Sequence, residues 1–94
     1  MELYSDDQVQ NALHMLSGWQ LAGKEIRKSY RFENFPRAMG FVTSLALAAE
    51  RANHHPDIDI RWNTVNLALS THSAGGLTAK DFTLAGEIDA LVPR

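Results

Sequence analysis

The segment from Asp57 to Leu69 alternates between apolar and polar residues on both sides of a short polar interruption. The apolar positions are Ile58, Ile60 and Trp62, followed by Val65, Leu67 and Leu69. Alternation with a period of two is typical of a strand with one buried face. Asn63 and Thr64 separate the two runs and predict a tight turn. We therefore predict a β-hairpin, which constrains the fold because its two ends must lie side by side.

A second pair of strands is predicted in the first third of the chain. Residues 19–21 form a short candidate strand, and residues 22–24 contain a glycine and favour a turn. From Ile26 to Phe32 apolar and polar residues alternate again, which indicates a half-buried antiparallel strand. Lys28 is the exception, because it falls on the apolar side of this strand.

Three segments show helical periodicity. Ser5 to Gln8 resembles a capping box, and Gly18 ends the first run. The apolar positions of this run are Val9, Ala12, Leu13 and Leu16. A long helix is predicted to begin at Asn34 or Phe35, with Pro36 in its first turn, and to end near Asn53. Its predicted buried stripe is Met39, Val42, Leu45, Ala46 and Ala49, with Phe41 beside it.

The last helix is predicted to begin at a variant capping box formed by Thr78 and Asp81, and to be closed by Pro93. Its inward positions are Phe82, Ala85, Ile88 and Leu91. The element order is therefore α-β-β-α-β-β-α. It predicts an α+β fold in which three helices pack on one face of a single antiparallel four-stranded sheet. We expect residues 1–94 to form a single domain, since no linker or repeat interrupts them.

The opposite sheet face is predicted to be polar, which makes it either a wetted or an assembly surface. Its residues are Arg27, Ser29, Arg31, Asn66, Ala68 and Ser70. A chain of 94 residues buries a limited core, so self-association into a homodimer or homotetramer is a natural expectation.

Composition excludes several functional classes. The chain has no cysteine, which removes disulfides, thiolate catalysis and cysteine zinc sites and fits a reducing compartment. Its net charge of −2 gives no basis for nucleic-acid binding. The N-terminal residues do not resemble a signal peptide, and no apolar run is long enough for a membrane span. We therefore expect a cytoplasmic protein.

Histidines are the strongest candidates for chemistry. Three of the four lie in two short stretches, Asn53-His54-His55-Pro56 and Ser70-Thr71-His72, at the two ends of the predicted hairpin. Histidine titrates closest to neutrality, so a cluster of them can transfer protons. Glu50 lies one turn before His54 and is expected to hydrogen-bond it and fix its tautomer. His14 is expected to be exposed on the first helix.

Structural roles are the alternative for each of these residues. The adjacent histidines before a proline can cap a loop, and His72 can be a satisfied structural residue. A metal site formed by the histidines and Glu50 is disfavoured, because adjacent histidines seldom converge on one ion and no i, i+4 histidine pair exists. Lys80 and Asp81 are more typical of a helix start than of catalysis, and Gly75-Gly76 is more typical of a turn than of a nucleotide site.

The histidines belong to two longer motifs, Glu50-x-x-Asn53-His54-His55-Pro56 and Ser70-Thr71-His72-x-x-Gly75-x-Leu77-Thr78-x-Lys80-Asp81. With these motifs, and over essentially its whole length, the chain resembles the pterin-4a-carbinolamine dehydratase family. Trp19 after the first helix and Tyr30-x-Phe32-x-x-Phe35 before the long helix also fit. The chain departs from the family at Asn53, where some members have an acid, and at Lys80, which is often arginine.

The resemblance implies dehydration of a 4a-hydroxytetrahydropterin to the quinonoid dihydropterin, which recycles the cofactor of aromatic amino acid hydroxylases. It implies no metal and no cofactor besides the pterin substrate. His54, His55 and His72 are carried over as active-site residues. The substrate-contacting stretches are Asn53 to His55 and Ser70, Thr71, His72 and Ser73. Trp19, Glu50 and Asp81 match supporting positions.

Two predictions about function follow from the resemblance. We predict that His54 is the main base, with His55 and His72 as acids that serve opposite faces of the substrate carbon C4a. The alternative is a protein-interaction module that acts as a dimerisation cofactor through its helices. The enzyme is favoured, because an interaction module has no reason to keep all three histidines.

Overall fold

The helices and strands follow the predicted order in a computed structural model that describes residues 2–92. The elements are α1 (Asp6–His14), β1 (Gln20–Ala22), β2 (Glu25–Arg31), α2 (Phe35–Ala52), β3 (Asp57–Arg61), β4 (Thr64–Leu69) and α3 (Ala79–Ala90). A 3-10 turn, His72–Ala74, lies between β4 and α3. Pro93, the predicted end of α3, lies outside the described residues.

The four strands form one antiparallel sheet in the order β1-β2-β4-β3. The predicted hairpin pairs β3 with β4, and β4 is also paired along its length with β2. The central strand β4 alternates buried and half-buried residues, as its sequence predicts. Its inward side chains join those of β2 and of the three helices in one core, and the outward face is polar as predicted. The predicted α+β fold is therefore confirmed.

Capping residues fix where the helices begin. The Ser5 side chain and Gln8 form the reciprocal capping box at α1, and Thr78 and Asp81 form the equivalent box at α3. At α2 the Asn34 side chain accepts a hydrogen bond from the backbone N–H of Arg37. Each box satisfies donors that a helix N-terminus leaves unpaired. Within residues 2–92, no helix combines the length and the apolar character needed to cross a bilayer.

The buried stripe of α2 differs from the predicted one. The buried residues are Ala38, Phe41, Leu45, Ala48 and Ala49. Met39 is 36% exposed and Ala46 is also exposed, whereas Val42 is only partly buried. Leu45 and Ala49 are buried as predicted, but the prediction was wrong at Met39 and Ala46 and only partly right at Val42. The helix carries apolar residues on neighbouring faces, so its periodicity fits two stripes. Small alanines at three of the buried positions allow the helix to pack closely, which decides between the two stripes.

The hairpin turn also lies one residue earlier than predicted. Thr64 pairs with Arg61 inside the sheet, so the turn is formed by Trp62 and Asn63. Trp62 adopts a left-handed conformation with φ of 51° and is 66% exposed. Asn63 is buried, and its side chain donates a hydrogen bond to the carbonyl of Phe32 at 2.8 Å. This bond favours Asn63, rather than Thr64, as the second turn residue.

The carboxylate of Asp89 ties the end of α3 to the sheet. It accepts hydrogen bonds from the indole N–H of Trp19, at 3.1 Å, and from the hydroxyl of Tyr30. Burial raises the pKa of Tyr30 strongly, and the hydrogen bond and negative charge of Asp89 raise it further. Trp19 is buried in the core, with its ring edge-on to that of Tyr30.

Candidate functional site

The end of α2 places the first histidine pair. Asn53 caps the helix in a left-handed conformation with φ of 50°, which asparagine tolerates better than most residues. The chain then turns, and the backbone N–H of His54 donates to the carbonyl of Ala49 at 3.1 Å. As a result His54 is buried, whereas its neighbour His55 is exposed, as expected for adjacent residues of an extended segment.

The residues after β4 place the third histidine beside that pair. Thr71 continues the strand and forms an isolated bridge with Gly76, and its N–H donates to the Gly76 carbonyl at 2.8 Å. Between them the chain makes the 3-10 turn His72–Ala74, which is capped by Gly75 with φ of 78°. The bridge closes this loop, so Thr71 points inward while His72 stays exposed.

The two stretches line one cavity of about 330 Å³. Its lining residues are Asn53, His54, His55, Ser70, Thr71, His72, Ser73 and Lys80. The structure therefore brings together all the predicted catalytic and substrate-contacting residues at the open end of the β3–β4 hairpin. Lys80 joins them from the first turn of α3, although its sequence position favoured only a helix start.

His54 is bound to a buried carboxylate. Its Nε2 atom lies 2.6 Å from Oδ1 of Asp81, and the Asp81 side chain is fully buried. The expected partner, Glu50, was wrong, because the turn at Asn53 directs the His54 ring inward, away from the surface of α2. Such a carboxylate holds the proton on Nε2 and leaves Nδ1 as the free ring nitrogen.

The other two histidines are exposed and differ in their partners. His55 pairs with Glu50 through Nε2 and Oε1 at 2.7 Å, and both side chains are largely exposed. No side-chain hydrogen bond or ion pair of His72 occurs within residues 2–92. The three imidazoles therefore occupy different environments: buried with a carboxylate, exposed with a carboxylate, and exposed without one.

Two further groups, from Thr71 and Thr78, hold the Asp81 carboxylate. Its Oδ2 accepts the Thr71 hydroxyl at 2.8 Å and the backbone N–H of Thr78 at 2.9 Å. The hydroxyls of Thr71 and Thr78 lie 2.8 Å apart. Only part of this network could be predicted, since the capping-box pattern links Thr78 to Asp81 but indicates no contact with Thr71 or His54.

Trp19, a predicted supporting residue, is not among the residues that line the cavity, because Asp89 and the core hold it elsewhere.

Two larger cavities, of about 480 and 550 Å³, lie over the polar sheet face and beside Gly75-Gly76. Neither is lined by a histidine. His14 is exposed on α1, as predicted. Across the described part of the chain, no three histidine or acidic side chains are grouped to hold a metal ion.

The fold and the site define a small α+β protein with a polar, histidine-lined cavity that is suited to acid–base chemistry on a small molecule. The family model described as pterin 4 alpha carbinolamine dehydratase matches residues 2–91. The chain belongs to this family of hydro-lyases.

Individual proteins agree with this assignment. A Nocardia farcinica protein, named provisionally as a pterin-4-alpha-carbinolamine dehydratase, is 56% identical over 96% of this chain and 95% of its own. A crystal structure described as a transcriptional coactivator/pterin dehydratase from Brucella melitensis is similar with a TM-score of 0.93 and 33% identity, covering 97% of this chain and 99% of its own. A pterin dehydratase-like RuBisCO assembly factor of the alpha-carboxysome shares the fold, with a TM-score of 0.64 and 24% identity over 78% of this chain and 84% of its own.

Proposed function

We propose that the chain catalyses the dehydration of 4a-hydroxytetrahydropterin to quinonoid dihydropterin by histidine acid–base catalysis. The observation that carries the proposal is the convergence of His54, His55 and His72 on one cavity, with His54 bound to the buried carboxylate of Asp81. This pair resembles the arrangement by which carboxylates orient catalytic histidines in other enzymes.

The reaction needs one proton acceptor and one proton donor. Loss of the N5 proton lets the N5 electron pair form a double bond to C4a, while the C4a–O bond breaks and the protonated hydroxyl leaves as water. A well-placed acid or base contributes about 10²- to 10⁴-fold to the rate. A flat bicyclic substrate between imidazoles of different environments can meet both requirements.

We assign the base to His54 and the acids to His55 and His72. His54 has the buried partner that keeps Nδ1 free to accept a proton. His55 and His72 are exposed on the rim of the same cavity, where they exchange protons with water. Their positions on separate segments allow them to serve opposite faces of C4a.

The remaining lining residues bind the substrate in this proposal. Asn53, Ser70, Thr71 and Ser73 present amide, hydroxyl and backbone groups to a pterin ring that carries several hydrogen-bond donors and acceptors. Asp81 supports His54, Glu50 supports His55, and Trp19 supports the fold from the core.

The proposal includes no metal and no cofactor besides the pterin substrate. It places the chain in the cytoplasm as a homodimer or homotetramer, where it acts in tetrahydropterin recycling beside an aromatic amino acid hydroxylase. The absence of cysteine fits a reducing compartment.

A direct assay tests the reaction. 4a-Hydroxytetrahydropterin is generated in solution, and its conversion to the quinonoid product is followed spectrophotometrically with purified protein. We expect turnover by the wild type and losses of at least 100-fold in kcat/KM for His54→Ala and of about 10-fold or more for His72→Ala. His14→Ala is the matched control, since His14 is exposed on α1 and outside the cavity. Full activity in both site variants would contradict the assignment.

A second candidate is an interaction module, favoured by the exposed apolar residues of α2. Phe35 and Leu47 are 48% and 68% exposed on this helix. The Brucella melitensis structure is described as a coactivator as well as a dehydratase. A stable complex with another protein, formed by a chain that lacks all dehydratase turnover, would favour this candidate over the enzyme.

A further inference from the structure

Two threonine hydroxyls lead to Asp81, the carboxylate that contacts His54. Thr71 is 5% exposed and Thr78 is fully buried. Their hydroxyls contact each other, and only the Thr71 hydroxyl contacts Asp81. Thr71 caps no helix with its side chain, because the 3-10 turn that follows it has no side-chain cap bond. Within the described residues its hydroxyl makes two hydrogen-bond contacts, with Thr78 and with Asp81.

The number of available protons determines which group donates in each hydrogen bond of this hydroxyl network. The backbone N–H of Lys80 can only donate, so it donates to the Thr78 hydroxyl oxygen, 3.3 Å away. The Thr78 N–H likewise can only donate, so Oδ2 of Asp81 accepts it. Each threonine hydroxyl has one proton. All contacts are satisfied only if Thr78 donates to Thr71 and Thr71 donates to Asp81.

The number of donors around Asp81 also determines which nitrogen of the His54 imidazole carries the proton. With two donors on Oδ2, the Asp81 carboxylate has its Oδ1 directed at His54 Nε2. Asp81 then acts as an acceptor in every contact, which requires the His54 proton to be on Nε2. The Thr71 hydroxyl is the one side-chain donor to Oδ2 in the described part of the chain, and it comes from the loop that also carries His72.

We propose that Thr71 is a positioning residue that acts through Asp81. Its hydroxyl fixes the plane of the carboxylate, the carboxylate holds the Nε2 proton of His54, and Nδ1 of His54 stays free at the cavity. Thr71 thus contributes to catalysis through Asp81 and His54, in addition to any contact between its backbone and the substrate. The kinetic part of this proposal rests on the proposed function, whereas the part that concerns the His54 proton does not.

Thr71→Val removes the hydroxyl and keeps the shape of the side chain, and Thr71→Ser keeps the hydroxyl. Thr64→Val is the matched control, because Thr64 lies at the other end of β4 and its hydroxyl contacts only Asn63 in the described residues. NMR of protein labelled with ¹⁵N in its histidine rings reports which nitrogen of His54 carries the proton, and how fast that proton exchanges with water. A His54→Gln sample identifies the signals.

We expect wild type, Thr71→Ser and Thr64→Val to show a slowly exchanging proton on Nε2 of His54. In Thr71→Val the carboxylate is free to turn, so we expect this proton to exchange at least 10-fold faster. Partners that orient histidines in metal sites contribute about 10- to 100-fold to affinity or activity. By the same reasoning we expect about a 10-fold loss of kcat in Thr71→Val, with KM within twofold and recovery in Thr71→Ser.

Two results would overturn the proposal. One is exchange of the Nε2 proton in Thr71→Val at the wild-type rate. The other is a wild-type protein in which His54 carries its proton on Nδ1, a result that needs no variant to fold. A purely structural role would lower the stability of Thr71→Val and leave both kcat and proton exchange unchanged. Absence of dehydratase turnover in the wild type would refute the proposed function and leave the NMR comparison intact.

Discussion

The ammonium of Lys28 lies 2.7 Å from Oδ1 of Asp89, although Lys28 occupies an apolar position in the alternation of β2. It also donates to the carbonyl of Ser17 at 2.6 Å and lies 4.8 Å from the centre of the Tyr30 ring. The charge is thus partnered on the inward face of the sheet, which explains how a lysine is tolerated there.

Replacement of Asp89 by alanine should be strongly destabilising. It removes the acceptor of Trp19, Lys28 and Tyr30 together and leaves a partly buried ammonium without its carboxylate. We expect the free energy of unfolding to fall by about 2–4 kcal/mol, measured by urea denaturation. Asp59→Ala is the control, because Asp59 pairs with Arg61 on the surface. Its effect on the free energy of unfolding should be clearly smaller. Equal losses would contradict this account of Asp89.

Tyr30 should make stability depend on alkaline pH. Burial, and then the hydrogen bond and charge of Asp89, raise its pKa, so the folded state keeps a proton that the unfolded state loses above pH of about 10. The stabilisation is fully present below that pH and is lost as pH rises further, by about 1.4 kcal/mol per pH unit. Tyr30→Phe should reduce this slope, measured by urea denaturation between pH 9 and 11. Tyr4→Phe retains Tyr30 and should keep the wild-type slope.

The two carboxylates that contact histidines should differ in their importance for activity. Asp81→Asn replaces an acceptor by an amide that can donate to His54, which favours the wrong tautomer, so we expect kcat/KM to fall at least 100-fold. Glu50→Gln alters an exposed pair, and we expect less than a fivefold change. Circular dichroism checks that Asp81→Asn remains folded, since the capping box is also altered. A larger effect of Glu50→Gln would refute this ranking.

Trp62→Gly should stabilise the hairpin. The left-handed conformation costs a non-glycine residue about 1 kcal/mol, and the exposed indole gives up little burial when it is removed. We expect a rise of up to about 1 kcal/mol in the free energy of unfolding. Asn53→Gly is a control, because Asn53 has nearly the same φ as Trp62. This variant should gain less free energy of unfolding, because asparagine tolerates the left-handed conformation. Destabilisation by Trp62→Gly would indicate that the indole is held by contacts.

The fold followed from the sequence because each element has its own periodicity or cap. Ser5 with Gln8 and Thr78 with Asp81 mark two helix starts, and alternation marks the longer strands. The buried face of α2 could not be predicted from the sequence, since helical periodicity fitted both the stripe that contains Met39 and the stripe that contains Ala38. The choice depends on how closely the helix packs against the sheet and α3, which the helix sequence does not encode by itself.

The location of the candidate site could be predicted from the sequence, but its hydrogen-bond network could not. The two histidine stretches flank a hairpin, so their meeting was predictable from strand pairing. The partner of His54 was not, because Asp81 is 27 residues away and local spacing favoured Glu50. The left-handed turn at Asn53 decides between them by directing His54 inward and His55 outward.

β4 is paired with β2 on one side and with β3 on the other. Between His54 and His72, the chain therefore tolerates inserted residues at some positions better than at others. A single inserted residue within β4 would exchange its inward and outward positions, so Thr71 would point to solvent and His72 into the core. Two inserted residues, or a longer loop at Trp62, would preserve that alternation. Natural variation in chain length should therefore be concentrated at the hairpin tip, far from the histidines.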